Sequence, residues 1–165
     1  MKDKPLIIAI SGVKNSGKTS MIEKLIPKLI NKGIKVATIK HDGHDFECDI
    51  DGTDTFRHKK AGAYGTAIFS KNKFMIIKEQ KNTTEDELIS YFQDCDLILL
   101  EGFKYSNYPK IEIIRRGNSE KSVCKKETLL AIATDNDIDY GDIDVININD
   151  IDSIVNLIIS VVKRS

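Results

Sequence analysis

Apolar residues in this chain fall into short unbroken runs, separated by stretches where they recur every three or four positions, as strands and helices do in a layered α/β domain. Leu6-Ile7-Ile8-Ala9-Ile10 is the first run and reads as a central parallel strand buried on both faces. Runs at Val36 to Ile39, Ala67 to Phe69, Phe74 to Ile77, Leu97 to Leu100, Leu129 to Ala133 and Val145 to Ile148 predict further strands. Ile111-Glu112-Ile113 alternates and predicts another strand, more exposed than the first. Ile22, Leu25, Ile26, Leu29 and Ile30 stand at helical spacing, with Gly33 as the closing residue and Pro27 as a source of a local kink. Thr84-Glu85-Asp86-Glu87 is a capping box for a short helix bearing Leu88, Ile89 and Phe92. The last helix, capped by Asn149 or Asp150, carries the stripe Ile151, Ile154, Val155, Ile158, Ile159 and Val162.

Between the first strand and the first helix stands Gly12-Val13-Lys14-Asn15-Ser16-Gly17-Lys18-Thr19, the complete phosphate-binding pattern G-x-x-x-x-G-K-[ST]. In that pattern backbone N–H groups wrap the α- and β-phosphates, the lysine reaches the β- and γ-phosphates, and the threonine hydroxyl ligates Mg²⁺. The following helix turns its N-terminus, with open N–H groups and the positive dipole end, toward the anion. Gly12 to Thr19, together with Ser20, are therefore the candidate nucleotide contacts, and a strand before plus a helix after separate the motif from a chance glycine turn. The predicted architecture is a three-layer α/β sandwich of the P-loop NTPase kind. Its sheet is mostly parallel and partly mixed, because Ser70-Lys71-Asn72-Lys73 joins two neighbouring runs as a hairpin.

Two carboxylates end apolar strands where open α/β sheets bind ligands. Glu101, followed by Gly102, is a candidate to bind Mg²⁺ or to orient an attacking water, which with Lys18 makes the catalytic pair, and with Thr19 the metal pair. An ordinary acid at a strand end is the alternative. Asp135 is a candidate guanine reader: a carboxylate accepts from both N1–H and the exocyclic amine of guanine, while adenine presents an acceptor at N1. Asp after a strand is also a common turn residue.

Composition narrows the partners. The 165 residues suffice for one domain, taken as residues 1–165, that buries on the order of 70% of its unfolded surface. A formal net charge of +0 gives no basic footprint for nucleic acid and no polybasic membrane patch. No signal-like or bilayer-length apolar run appears, so a cytoplasmic protein is expected. Cys48, Cys95 and Cys124 are odd in number and widely spaced, which argues against a disulfide framework or a zinc knuckle.

The phosphate loop, then Ile39-Lys40-His41 with His44-Asp45, Thr53-Asp54-Thr55-Phe56-Arg57 leading to Ala61-Gly62-Ala63, Leu100-Glu101-Gly102-Phe103-Lys104 and Pro109-Lys110-Ile111-Glu112, resemble the molybdopterin-guanine dinucleotide biosynthesis protein B (MobB) family. The resemblance spans nearly the whole chain. It implies a GTP-binding homodimer with at most weak GTPase activity, which assists a separate guanylyltransferase in attaching GMP to molybdopterin. Whether molybdopterin docks on this chain stays open under that resemblance.

Other candidates compete with blander readings. His41, His44, His58 and Cys48 invite a transition-metal site, yet their spacing matches no tetrahedral set. Arg57 and Lys104 either grip phosphate or are solvated surface charges. Asp42, Asp49, Asp51 and Asp54 either include a second Mg²⁺ ligand or keep a polar loop soluble. Two further function classes fit the loop: a small-molecule kinase, which lacks an arginine-rich lid here, and a metal-delivery GTPase, which lacks paired cysteines or a His-rich tract.

Overall fold

A computed structural model describes residues 4–43 and 46–163, so His44 and Asp45 lie outside the described residues. The chain forms two compact units, Asp42–Thr84 and the remainder.

The larger unit is built on a six-stranded sheet in the order β2-β5-β1-β6-β7-β8. Its strands are β1 (Leu6–Ser11), β2 (Val36–Lys40), β5 (Leu97–Glu101), β6 (Lys110–Ile114), β7 (Leu129–Thr134) and β8 (Asp144–Asn147). Every pairing in this sheet is parallel, with Ile8 opposite Leu99, Ile10 opposite Glu101 and Ser11 opposite Glu112. All C-terminal strand ends therefore share one edge. The alternation of side chains across each strand divides the core between two faces. Ile8, Ile10, Leu97, Leu99, Ile111 and Ile113 pack on one face with helices α1 (Lys18–Asn31) and α4 (Ile151–Val162). Ala9, Ala37, Ile39, Ile98 and Leu100 pack on the other with helix α3 (Glu85–Ser90), through Leu88 and Ile89, and with Phe92. This is the three-layer α/β sandwich that the apolar pattern predicts.

Helix α1 runs unbroken through Pro27. It ends in a Schellman motif: Ile34 N–H reaches Leu29 C=O at 3.2 Å and Gly33 N–H reaches Ile30 C=O at 2.9 Å. Gly33 takes the φ of +81° that this closure requires.

Two expectations are corrected. Strand β6 is not more exposed than β1; all five of its residues are buried, because it lies between β1 and β7. Its charged pair is tolerated by full hydrogen bonding. Lys110 Nζ donates to Ser106 C=O at 2.7 Å and Glu112 Oε1 accepts from Val123 N–H at 2.8 Å. The hairpin does not enter the main sheet to make it mixed. Its strands, β3 (Gly65–Phe69) and β4 (Phe74–Lys78), pair antiparallel as a separate two-stranded sheet, since a four-residue connection closes each strand on its neighbour.

That hairpin belongs to the smaller unit. Helix α2 (Asp54–Lys60) precedes it, capped by Thr53, whose Oγ1 accepts from Phe56 N–H at 3.3 Å. Among the described residues, no helix is long and apolar enough to cross a membrane.

Candidate functional site

Strand β1 delivers the phosphate loop to the shared edge, and α1 carries it away. Three residues of the loop have left-handed backbone: Gly12 at φ +140°, Asn15 at φ +61° and Gly17 at φ +97°. Such reversals turn successive N–H groups inward to form an anion-binding nest. Gly12 cannot be larger, because a Cβ there would stand 2.6 Å from Ile113 C=O and 2.8 Å from Ser16 Oγ. Ser16 is fully buried, and its hydroxyl has no partner among the described residues. A buried, unpaired hydroxyl inside such a cradle fits a missing polar ligand.

The start of α1 supports the same fit. Gly17 occupies its N-cap position and offers no side-chain cap, and the first turn holds no acid. Four amide donors are thereby left to an outside anion. Lys18 meanwhile folds back on the loop, donating from Nζ to Val13 C=O at 2.7 Å and to Gly12 C=O at 3.4 Å. Burial holds its ammonium below the usual lysine range; Glu101 opposes that shift, while Lys104 and Lys40 add to it.

The structure brings Glu101 to Thr19. The threonine Oγ1 donates to Glu101 Oε1 at 2.8 Å, so the hydroxyl and carboxylate suited to a hard cation are neighbours. Asp96 lies at the opposite end of β5, where it accepts from Lys35 N–H at 2.7 Å. Past Glu101, Gly102 and Phe103 both adopt positive φ, +101° and +51°. This bend is held from two sides. Ser11 Oγ donates to Gly102 C=O, and the Lys110 ammonium reaches Phe103 C=O at 3.4 Å as well as Ser106. Lys104 sits on the same bend with its ammonium 4.9 Å from the Tyr105 ring centre.

Asp135 follows β7 at the same edge. Its Oδ1 accepts from Arg116 N–H at 2.6 Å, and Arg116 Nη2 donates to the Asp135 carbonyl at 2.8 Å. Each carboxylate oxygen has two lone pairs, so this tether leaves acceptors for a base. Lys14 contributes its carbonyl, which accepts from Asn118 Nδ2 at 3.1 Å, while Ser20 is exposed on the first turn of α1. Motif reading passed over Arg115, Arg116 and Asn118. The visible signal was a pair of arginines directly after a strand that neighbours β1.

Of the remaining candidates, His41 ends the first segment of the larger unit, with its ring centre 5.7 Å from that of Phe103, and Asp42, Cys48, Asp49, Asp51, Asp54, Arg57 and His58 belong to the smaller unit. There Arg57 Nη1 lies 3.6 Å from Asp54 Oδ1, and Asp49 Oδ1 accepts from Ile50 N–H and from the hydroxyls of Thr53 and Thr55. None of Cys48, Cys95 and Cys124 is in a disulfide, and burial pushes the Cys124 thiol up to about 12. Among the described residues, no three His, Cys, Asp or Glu side chains are arranged to hold a metal ion.

A parallel sheet flanked by helices on both faces, with this loop at its central strand, defines a P-loop nucleotide-binding protein. Residues 7–135 match the family model described as MobB, Molybdopterin guanine dinucleotide synthesis protein B. The chain belongs to that family. It is 35% identical over 155 residues to the molybdopterin-guanine dinucleotide biosynthesis adapter protein of Haemophilus influenzae, covering 92% of this chain and 86% of that one. The Escherichia coli protein of the same description is 29% identical over 167 residues, covering 96% and 94%. The crystal structure of Bacillus subtilis MobB superposes with a TM-score of 0.77 at 28% identity, covering 94% of this chain and 96% of that one.

Proposed function

We propose that this chain is a GTP-binding accessory protein of molybdopterin guanine dinucleotide formation, acting in the cytoplasm beside a separate guanylyltransferase that transfers GMP to molybdopterin. The observation that carries the nucleotide part is the uncapped start of α1, set in a loop of left-handed residues with a buried, unpaired Ser16 hydroxyl. Family membership and the adapter proteins it resembles support the pathway.

In this reading the amides of residues 12–20 hold the α- and β-phosphates, and Lys18 leaves the loop carbonyls to bind the β- and γ-phosphates. Thr19 and Glu101 are the residues that would hold Mg²⁺, which when bound neutralises charge across the β- and γ-oxygens. Glu101 would also orient water, giving a slow hydrolysis. Asp135, fixed by Arg116, would read guanine through N1–H and the 2-amino group.

A homodimer is the assembly we favour. The β3–β4 hairpin leaves Phe69 84% and Phe74 67% exposed, with Ile68 and Ile76 also uncovered. A lone two-stranded sheet is marginal in water, so a second copy is the occupant that best covers these side chains. Light scattering that returns a monomer mass at micromolar concentration would remove this part.

The decisive experiment is equilibrium binding of GTP and ATP in parallel, with and without Mg²⁺, on the wild type and Lys18→Ala. The expected result is a Mg²⁺-assisted preference for GTP that Lys18→Ala abolishes with the fold intact. Equal or ATP-favouring affinity would move the protein toward a kinase-like role, and undiminished binding by Lys18→Ala would relocate the site.

A further inference from the structure

Beyond β6 the chain enters a tight turn, residues 115–119, in which Asn118 and Ser119 N–H groups donate to the Arg115 carbonyl at 3.0 and 2.9 Å. The Arg115 N–H donates in turn to Ser119 Oγ at 3.2 Å. The turn is wired to the phosphate loop through Asn118 and Lys14, and to the end of β7 through Arg116 and Asp135.

The two adjacent arginines have different placements. Arg116 is committed to the carbonyl of Asp135. Arg115 instead places Nη1 3.4 Å from where a Cβ on Gly17 would stand, so its guanidinium lies against the phosphate loop itself. Among the described residues no carboxylate pairs with Arg115. A planar cation with five donors, on a braced turn beside an anion-binding nest, has the shape and charge that phosphate oxygens bind.

Strand order says which part of the ligand it meets. Strand β6, which feeds Arg115, lies on one side of β1; β5, which ends in Glu101, lies on the other. Arg115 thus approaches from the side opposite the Thr19–Glu101 pair, and that pair belongs to the metal and the terminal phosphate. The geometry points to Arg115 as a nucleotide-binding residue supplied by the chain itself, contacting the α- and β-phosphate part of the ligand. The 115–119 turn then forms a second wall of the site. This inference rests on the reading that the loop binds a nucleoside triphosphate.

The test is titration calorimetry with GTP and with GDP on the wild type, Arg115→Gln and Arg115→Lys, with the melting temperature of each unliganded protein as a folding control. Arg115→Gln is expected to weaken GTP and GDP by the same factor, about ten- to a hundredfold for a charge-assisted contact. Arg115→Lys should recover part of the loss, and all three should melt alike. A wild type that binds while Arg115→Gln binds equally well overturns this inference alone, as does a loss confined to GTP, which would put the guanidinium at the γ-phosphate. A wild type that binds neither nucleotide overturns this inference and the parent reading together.

Discussion

Helices α1 and α4 cover the same face of the sheet, and their N-termini are finished in opposite ways. Helix α4 is closed by its own chain: Asp150 Oδ1 accepts from Ser153 N–H at 3.1 Å, and Asp152 stands in the first turn. Helix α1 begins at Gly17 with no cap and no acid, and its first residue is Lys18. Both answer the same problem of open amide donors. The chain supplies its own carboxylate where the helix end is structural and withholds one where an anion is to bind. An uncapped start followed by a lysine is thus a positive feature of the sequence.

The largest effect should come from nucleotide acting as the missing cap. At one hundred times its Kd, ligand adds about 2.7 kcal/mol of stability, read as a raised melting temperature. Hydrogen exchange should then show new protection at amides 17–20 and little at 150–153, the positions with no intrahelical partner; a uniform gain along both helices would refute the contrast. A smaller effect is expected from Glu101→Gln, which removes charge from the metal pair and leaves the cap untouched. The Mg²⁺-assisted increment of GTP affinity should fall about tenfold while Mg²⁺-free binding holds, and equal loss with and without Mg²⁺ would refute this division of labour.

The smallest effect lies at α4. Asp150→Ala should lower the urea midpoint slightly at pH 7 and leave nucleotide affinity alone. The Ser153 hydroxyl, and then its backbone N–H, hold the Asp150 carboxyl below the ordinary aspartate range. A depressed folded value means that the contribution is complete above the unfolded range and is lost as pH falls through the folded one. The gap between Asp150→Ala and wild type should therefore close in strong acid. A gap that stays constant down to pH 2 would show that the carboxylate charge is not the cap.

What the sequence made legible was local. The phosphate loop, the β1 run, the α1 and α4 stripes and the strand ending in Glu101 depend on neighbours in the chain, and spacing reports neighbours. Even so, Ile30 of the α1 stripe is 55% exposed. It lies about 100° round the helix from Leu29, beyond the buried face. The burial of β6 was not legible, because alternation of Lys110, Ile111, Glu112 and Ile113 imitates a half-exposed strand. Only the folded chain brings Ser122 and Val123 back to Glu112 and lays β6 between β1 and β7. The exact neighbourhood of Arg115 and the tether on Asp135 depend on the same kind of long-range meeting.

That dependence governs how the site is born. The whole phosphate loop lies within the first twenty residues, but Glu101 bonds Thr19 across 82 positions, Gly102 bonds Ser11 across 91, and Asn118 bonds Lys14 across 104. Parallel pairing of distant strands is slow to nucleate, since loop closure must precede its reward. A ribosome-bound chain holding only its first hundred residues would carry the motif without the partners that shape it. Affinity for nucleotide should therefore appear late in synthesis and abruptly, once the segment through residue 119 has emerged and docked.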